Sequence, residues 1–209
     1  RTPLLQAIIS GHVELSHSLL SRAPEHVTRN LLLDIAYDSP EDSRQRPSFF
    51  KVLHSLKDEA WVGPAVDLVD ADGNSPLLVA AATAQEDLCD MFLAMGADPN
   101  QADAAGNTPM HHALAQGKGD IVRMLRAHGG RIDARNRAGH DPAAVAAATR
   151  RPHLVRAITD PVDPALAGQW AMDEDLIKRR DAGREQAQDL FHPVVPEPVA
   201  STARMTLRA

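Results

Sequence analysis

The chain has 209 residues, 44% of them hydrophobic, and a formal net charge of −6, a composition typical of one or two globular domains. The acidic balance gives no reason to expect nucleic-acid binding, which usually needs a basic surface. The single cysteine, Cys89, excludes an internal disulfide and a cysteine-rich metal site and favours a reducing compartment. No apolar run reaches the roughly 18 residues of a membrane span, and no secretion signal is seen, so we expect a cytoplasmic protein.

The first elements in the chain are two predicted helices. The phrase TPLLQA (residues 2–7) places a capping hydroxyl and a proline at a helix start, and GHVEL (residues 11–15) introduces a second helix. A degenerate unit follows, with a predicted inner helix at 31–36 and an outer helix at 49–56. The polar residues between them predict a loop insertion near 38–48.

Three phrases then recur with a fixed spacing. Gly73, Gly106 and Gly139 lie 33 residues apart and head the phrases DGNSPLLVAA, AGNTPMHHAL and AGHDPAAVAA. Each phrase predicts a turn whose glycine has positive φ, then a capping Ser, Thr or Asp, then a proline in the first helical turn. A second helix follows each time, and we expect the last one to end near Asp160.

A 33-residue period with the pattern T-P-L-H-x-A is that of ankyrin repeats, and the chain resembles the ankyrin-repeat family over about residues 1–160. The resemblance implies an all-α repeat solenoid of about five repeats, each a helix-turn-helix with a β-hairpin finger. It also implies that His111 ties neighbouring repeats together by hydrogen bonds. Residues 161–209 lack the period and are predicted to form a partly helical C-terminal extension that docks on the stack or on a partner.

No group of residues predicts catalysis. His111 and His112 are adjacent but match the family's structural histidine position, and the scattered histidines do not form a zinc-ligand set. The segment Asp70–Asn74 has a faint likeness to a calcium loop, but a helical Ala81 stands where the twelfth-position Glu is required. We therefore predict a non-enzyme without metal, cofactor or small-molecule substrate.

The resemblance places the partner contacts on a concave face formed by finger tips and inner helices. This face would bind a helix or an extended segment of a protein partner, as in an adaptor or scaffold. Its charge is expected to change from acidic in the middle of the stack to basic near its end, which would orient the partner. The predicted contact residues are Asp72, Asn74, Thr83, Asp103, Asn107, Gln116, Arg135, Arg137 and His140.

Two other functions remain open on the sequence. The chain could be a structural subunit of a large assembly, held by the 38–48 loop and the extension after Asp160. It could also be the regulatory or recognition part of a longer enzyme or secreted effector. Two tryptophans are candidate anchors: Trp61, and Trp170, which we expect to cover the end of the last repeat.

Overall fold

A computed structural model describes residues 2–22, 30–40, 45–59 and 61–161, which contain eleven α-helices and no β-strand. The predicted extension, with Trp170, lies outside the described residues apart from Pro161. The helices are α1 (Pro3–Ile9), α2 (Val13–Arg22), α3 (Leu31–Tyr37), α4 (Arg46–Leu56), α5 (Val62–Ala65), α6 (Pro76–Ala82), α7 (Glu86–Ala94), α8 (Pro109–Gln116), α9 (Gly119–Ala127), α10 (Pro142–Ala148) and α11 (Pro152–Thr159).

The helices form two rows. The inner row is α1, α3, α6, α8 and α10, in which each helix packs on the next. In the outer row, α2 packs on α4, α7 on α9, and α9 on α11. Four inner helices also pack on the outer helix that follows them, α1 on α2, α6 on α7, α8 on α9 and α10 on α11. This arrangement confirms a repeat fold built from helices.

The inner helices begin where the sequence predicts. Ser75 accepts a hydrogen bond from the Leu78 amide at 3.3 Å, and Asp141 accepts one from the Ala144 amide at 2.8 Å. A proline is the first residue of α1, α6, α8 and α10, where its missing N–H costs nothing because that amide has no partner within the helix. Cap and proline together fix the helix start.

The turn before each of the last three inner helices has a glycine in the left-handed region. Gly73, Gly106 and Gly139 have φ of 81°, 80° and 80°, as predicted. We call segments 70–74, 103–107 and 136–140 the finger turns. One backbone bond joins each turn to the next: Ala104 donates to Asp72, and Arg137 to Ala105, each at 3.0 Å. Because these are single bonds and not ladders, the expected β-hairpins do not appear as strands here.

The core lies between the two rows and consists mainly of Leu, Ala, Val and Ile, with Phe49 and Phe92 as its largest fully buried side chains. Cys89 is buried on α7, and burial raises the pKa of its thiol. A protonated, inaccessible thiol is a poor nucleophile and metal ligand, so Cys89 acts as a small hydrophobic residue.

The second unit differs from its prediction in three places. Helix α4 begins at Arg46, so residues 46–48 of the predicted 38–48 loop are helical; Pro47 is tolerated in the first turn. The 33-residue spacing predicts that Gly63 is equivalent to Gly96, but Gly63 lies inside α5, whereas Gly96 has φ of 90°. Trp61 packs partly buried against the core and does not project as an exposed anchor.

Two glycine substitutions test the packing between finger turns. An alanine costs about 1–2 kcal/mol in the left-handed region, and Gly139 has nothing within 4 Å of an added Cβ. At Gly106 the Cβ would also lie 3.0 Å from the Arg137 nitrogen, so Gly106→Ala should cost about 1 kcal/mol more than Gly139→Ala. Urea unfolding measures both; equal losses would contradict close packing of turn 103–107 on turn 136–140.

Candidate interaction surface

The side chain that begins each finger turn holds the turn closed. Oδ1 of Asp70 accepts the amides of Asp72 and Asn74, at 2.9 and 2.8 Å. The Asp103 and Asn136 side chains repeat this pattern, accepting the amides two and four residues further on. These bonds satisfy backbone donors that the helices cannot, so they give the turns a defined shape.

Asp103 is predicted to contact a partner, but the structure uses it to build the turn. Its side chain is 12% exposed, and its Oδ2 is 3.0 Å from His112 Nε2 and accepts from Asn107 Nδ2. Burial alone would raise the pKa of this carboxyl, but the bonds from His112, Asn107 and Ala105 lower it.

The two predicted asparagines are also engaged in the scaffold. Asn74 Nδ2 donates to Asp70 Oδ2 at 3.0 Å. Asn107 Oδ1 accepts from Asn136 Nδ2 at 2.9 Å, which links one finger turn to the next. Both asparagines are half-buried. Their side chains therefore hold the turns in place and offer little area for contact with a partner.

Six predicted residues are exposed, at two separate places. Asp72, Arg135, Arg137 and His140 lie at or beside the finger turns. Thr83 and Gln116 lie at the other ends of α6 and α8, and Thr83 Oγ1 donates to the Val79 carbonyl at 2.8 Å. The exposed predicted residues therefore form a finger-turn set and a helix-end set, which lie toward opposite ends of the inner helices.

A shallow groove of about 700 Å³ lies between turns 103–107 and 136–140. Of the nine predicted residues, Asn107 and Arg137 line it. Three alanines form much of its wall, and the lining residues are Ala104, Ala105, Asn107, Asn136, Arg137 and Ala138. Small side chains allow a partner backbone to approach closely, so the groove suits a peptide segment.

A second, polar groove of about 520 Å³ lies at the helix-end set, between Tyr37 and Lys118. Its two cations are already paired: Arg46 with Asp87 at 2.7 Å and Lys118 with Glu86 at 3.4 Å. Tyr37 was missed by the sequence analysis; its hydroxyl donates to Asp70 Oδ2 at 2.8 Å and so supports turn 70–74. The sequence gives no local signal for this contact, because Tyr37 and Asp70 are 33 residues apart.

His111 joins neighbouring units as the resemblance implies. Its Nδ1 accepts the Thr108 amide at 3.2 Å, so Nε2 carries the proton and donates to the His140 carbonyl at 3.1 Å. Burial lowers the pKa of this ring, against the opposing effect of the His140 carbonyl. Among the residues that the structure describes, no three His, Cys, Asp or Glu side chains are grouped to hold a metal ion.

Fold and surface together define a helical repeat protein with a row of hydrogen-bonded turns on one side. The sequence profile described as ankyrin repeats (3 copies) matches residues 44–136 and 77–164, more than half of the chain. The chain therefore belongs to the ankyrin-repeat family, whose repeats are generally protein-interaction modules and typically non-catalytic. No curated protein shows significant sequence similarity to it. None of the described helices has the length and apolarity to cross a membrane.

Truncating Asp103 and Asp72 tests the division between scaffold and exposed residues. Asp103→Ala should lower the free energy of unfolding by about 1–3 kcal/mol at neutral pH, because several hydrogen bonds to a charged group are lost. Asp72→Ala should change it by less than about 0.5 kcal/mol. Urea unfolding of both variants measures this, and equal effects would contradict the division.

The same pair gives a pH test with a defined sign. The pKa of Asp103 is lowered in the folded state from its ordinary value of 3.8, so its contribution is present above 3.8 and is lost as the pH falls through the lower, folded value. The stability difference between wild type and Asp103→Ala should therefore shrink in that acid range. Asp72→Ala serves as the control at each pH.

Proposed function

We propose that this chain is a non-catalytic adaptor or scaffold module that binds a protein partner through its finger turns and the groove beside them. The fold supports this proposal because each turn is held by side-chain and backbone bonds before any partner arrives. A surface ordered in advance loses less conformational entropy on binding. We further infer that α1 to α4 supply two units of the stack, which makes five repeats.

The observation that carries the proposal is the alanine-walled groove flanked by exposed charged side chains. Asp72, Arg135, Arg137 and His140 are proposed to contact the partner, while Asn74, Asp103 and Asn107 position the turns. Thr83 and Gln116 would be reached only by a partner that extends along the inner helices. Exposed charges of this kind set the orientation and association rate of a partner more than they add affinity.

The proposed partner is a protein, inside the cell, and neither a nucleic acid nor a small-molecule substrate. The formal charge of −6 disfavours a phosphate backbone, which is bound by basic surfaces. The groove is open along its length and walled by alanine, a shape that fits an extended segment or a helix.

Filling the groove with one bulky side chain tests the proposal. Ala105 is exposed in the groove, and Ala94 is exposed at the end of outer helix α7, so Ala105→Trp and Ala94→Trp add the same apolar side chain at two places. Proteins captured by affinity purification from the native cell and quantified by mass spectrometry should be retained by wild type and Ala94→Trp and lost by Ala105→Trp.

Thermal unfolding is the control for this comparison, since a surface substitution changes stability by about 0.5 kcal/mol or less. Loss of capture by a stably folded Ala105→Trp supports binding in the groove. Equal capture by all three proteins would overturn the proposal.

A further inference from the structure

The backbone of the groove has no N–H left to offer a partner. All six lining residues already donate their backbone amide within the scaffold. Three of these amides bind backbone carbonyls: Ala104 to Asp72, Asn136 to His140 and Arg137 to Ala105. The other three bind side-chain oxygens: Ala105 and Asn107 to Asp103 Oδ1, and Ala138 to Asn136 Oδ1. The side-chain amides of Asn107 and Asn136 also donate inside the scaffold. A partner strand therefore finds no free backbone N–H among these six residues.

The guanidinium of Arg137 is different, because none of its donors is bonded to a residue that the structure describes. Neither Arg137 nor Arg135 forms an ion pair or a side-chain hydrogen bond with any residue in the described ranges, and both are exposed. Two other arginines in this half of the stack are engaged: Arg131 binds Asp133 at 3.0 and 3.1 Å, and Arg126 binds the Asp160 carbonyl at 2.7 Å. Each guanidinium has five N–H donors and no acceptor, so it selects an acceptor group.

Charged residues are distributed unevenly along the stack: acidic residues predominate up to residue 118 and arginines after it. Residues 61–118 contain eight Asp and Glu and a single cation, Lys118. Residues 119–161 contain eight arginines and four aspartates. Asp103, whose turn borders the groove, is occupied by turn bonds, whereas Asp72 on the neighbouring turn is exposed. Among the residues that line the groove, the charged side chain is that of Arg137, although the whole chain is acidic.

We infer that the partner binds with an acidic peptide segment, whose Asp or Glu carboxylates pair with Arg135 and Arg137 while its backbone lies against the alanine wall. This inference rests on the proposed function and adds the chemistry of the partner. A carboxylate matches the planar donor pair of a guanidinium and can accept two bonds from it. A nucleic acid fits less well, because its row of phosphates would extend over the acidic residues 61–118.

Peptide binding to the whole 209-residue chain tests the inference. The probe is a fluorescent peptide of alternating Glu and Ala, compared with Gln-Ala and Lys-Ala peptides and with an oligothymidine strand, by fluorescence anisotropy. The Glu-Ala peptide should bind best. Its affinity should fall by about three- to tenfold in Arg135→Gln/Arg137→Gln, as expected for two exposed charge pairs, and should be largely restored in Arg135→Lys/Arg137→Lys.

A matched variant controls for the loss of two positive charges. Lys51 and Arg156 are exposed on outer helices α4 and α11, so Lys51→Gln/Arg156→Gln should bind like wild type. Raising the ionic strength from about 0.01 M to about 1 M shortens the Debye length from about 30 Å to about 3 Å and should weaken binding to wild type.

Several outcomes would overturn the inference: no binding of the Glu-Ala peptide, equal binding of the Gln-Ala peptide, equal loss in the Lys51/Arg156 control, or stronger binding of the oligonucleotide. These outcomes are separable from failure of the proposed function. If Ala105→Trp abolishes capture of cellular proteins but Arg135→Gln/Arg137→Gln does not, the groove binds a protein. In that case the inference that the partner binds with an acidic segment is wrong. If Ala105→Trp has no effect, the proposed function itself fails.

Discussion

One repeated interaction supports the whole surface: a side-chain oxygen at residues 70, 103 and 136 that accepts the amides two and four residues further along the chain. The distances range from 2.8 to 3.1 Å in the three turns. Each such group satisfies two backbone donors and brings the turn glycine into its left-handed conformation. The turn can then present one amide to the carbonyl of its neighbour, which connects the turns into a row.

The same interaction engages the carboxylates of Asp70 and Asp103 within their own turns, so neither is available to a partner. A carboxylate that already accepts three or four hydrogen bonds, as Asp103 does, is a poor partner for an incoming cation, because binding would break those bonds. Arg135 and Arg137, which form no side-chain bond with any described residue, carry no such cost. The charge that this surface offers to a partner therefore depends on which charged side chains are already bonded within the scaffold, and less on how many it contains.

The sequence predicts much of this fold because the signals are local. A capping side chain, a proline and a glycine at fixed offsets determine the inner helices at Pro76, Pro109 and Pro142, and the TPMHHA phrase determines the bonding of His111. Gly63 shows where this fails: it has the right spacing, but the structure places it within a helical turn. The 33-residue spacing identifies equivalent positions in two repeats only when any insertion before them is located correctly.

The surface is less predictable than the fold for a related reason. Asp72 and Asp103 are both aspartates of finger turns, and Asp103 is the counterpart of Asp70, whereas Asp72 is the counterpart of Ala105. Their different roles follow from the hydrogen bonds of the turn. The uncommitted state of Arg135 and Arg137 depends on the positions of side chains from the neighbouring segments, which no local phrase specifies.

Backbone amide hydrogen exchange, followed by NMR, tests the row of joined turns most directly. The amides of Ala104 and Arg137 donate to neighbouring turns, whereas the amide of Ala71 has no acceptor among the described residues. The account predicts that Ala104 and Arg137 exchange at least about tenfold more slowly than Ala71 after correction for intrinsic rates, an opening free energy of about 1.4 kcal/mol or more. Exchange of all three amides at the same rapid rate would show that the turns move independently and would contradict it.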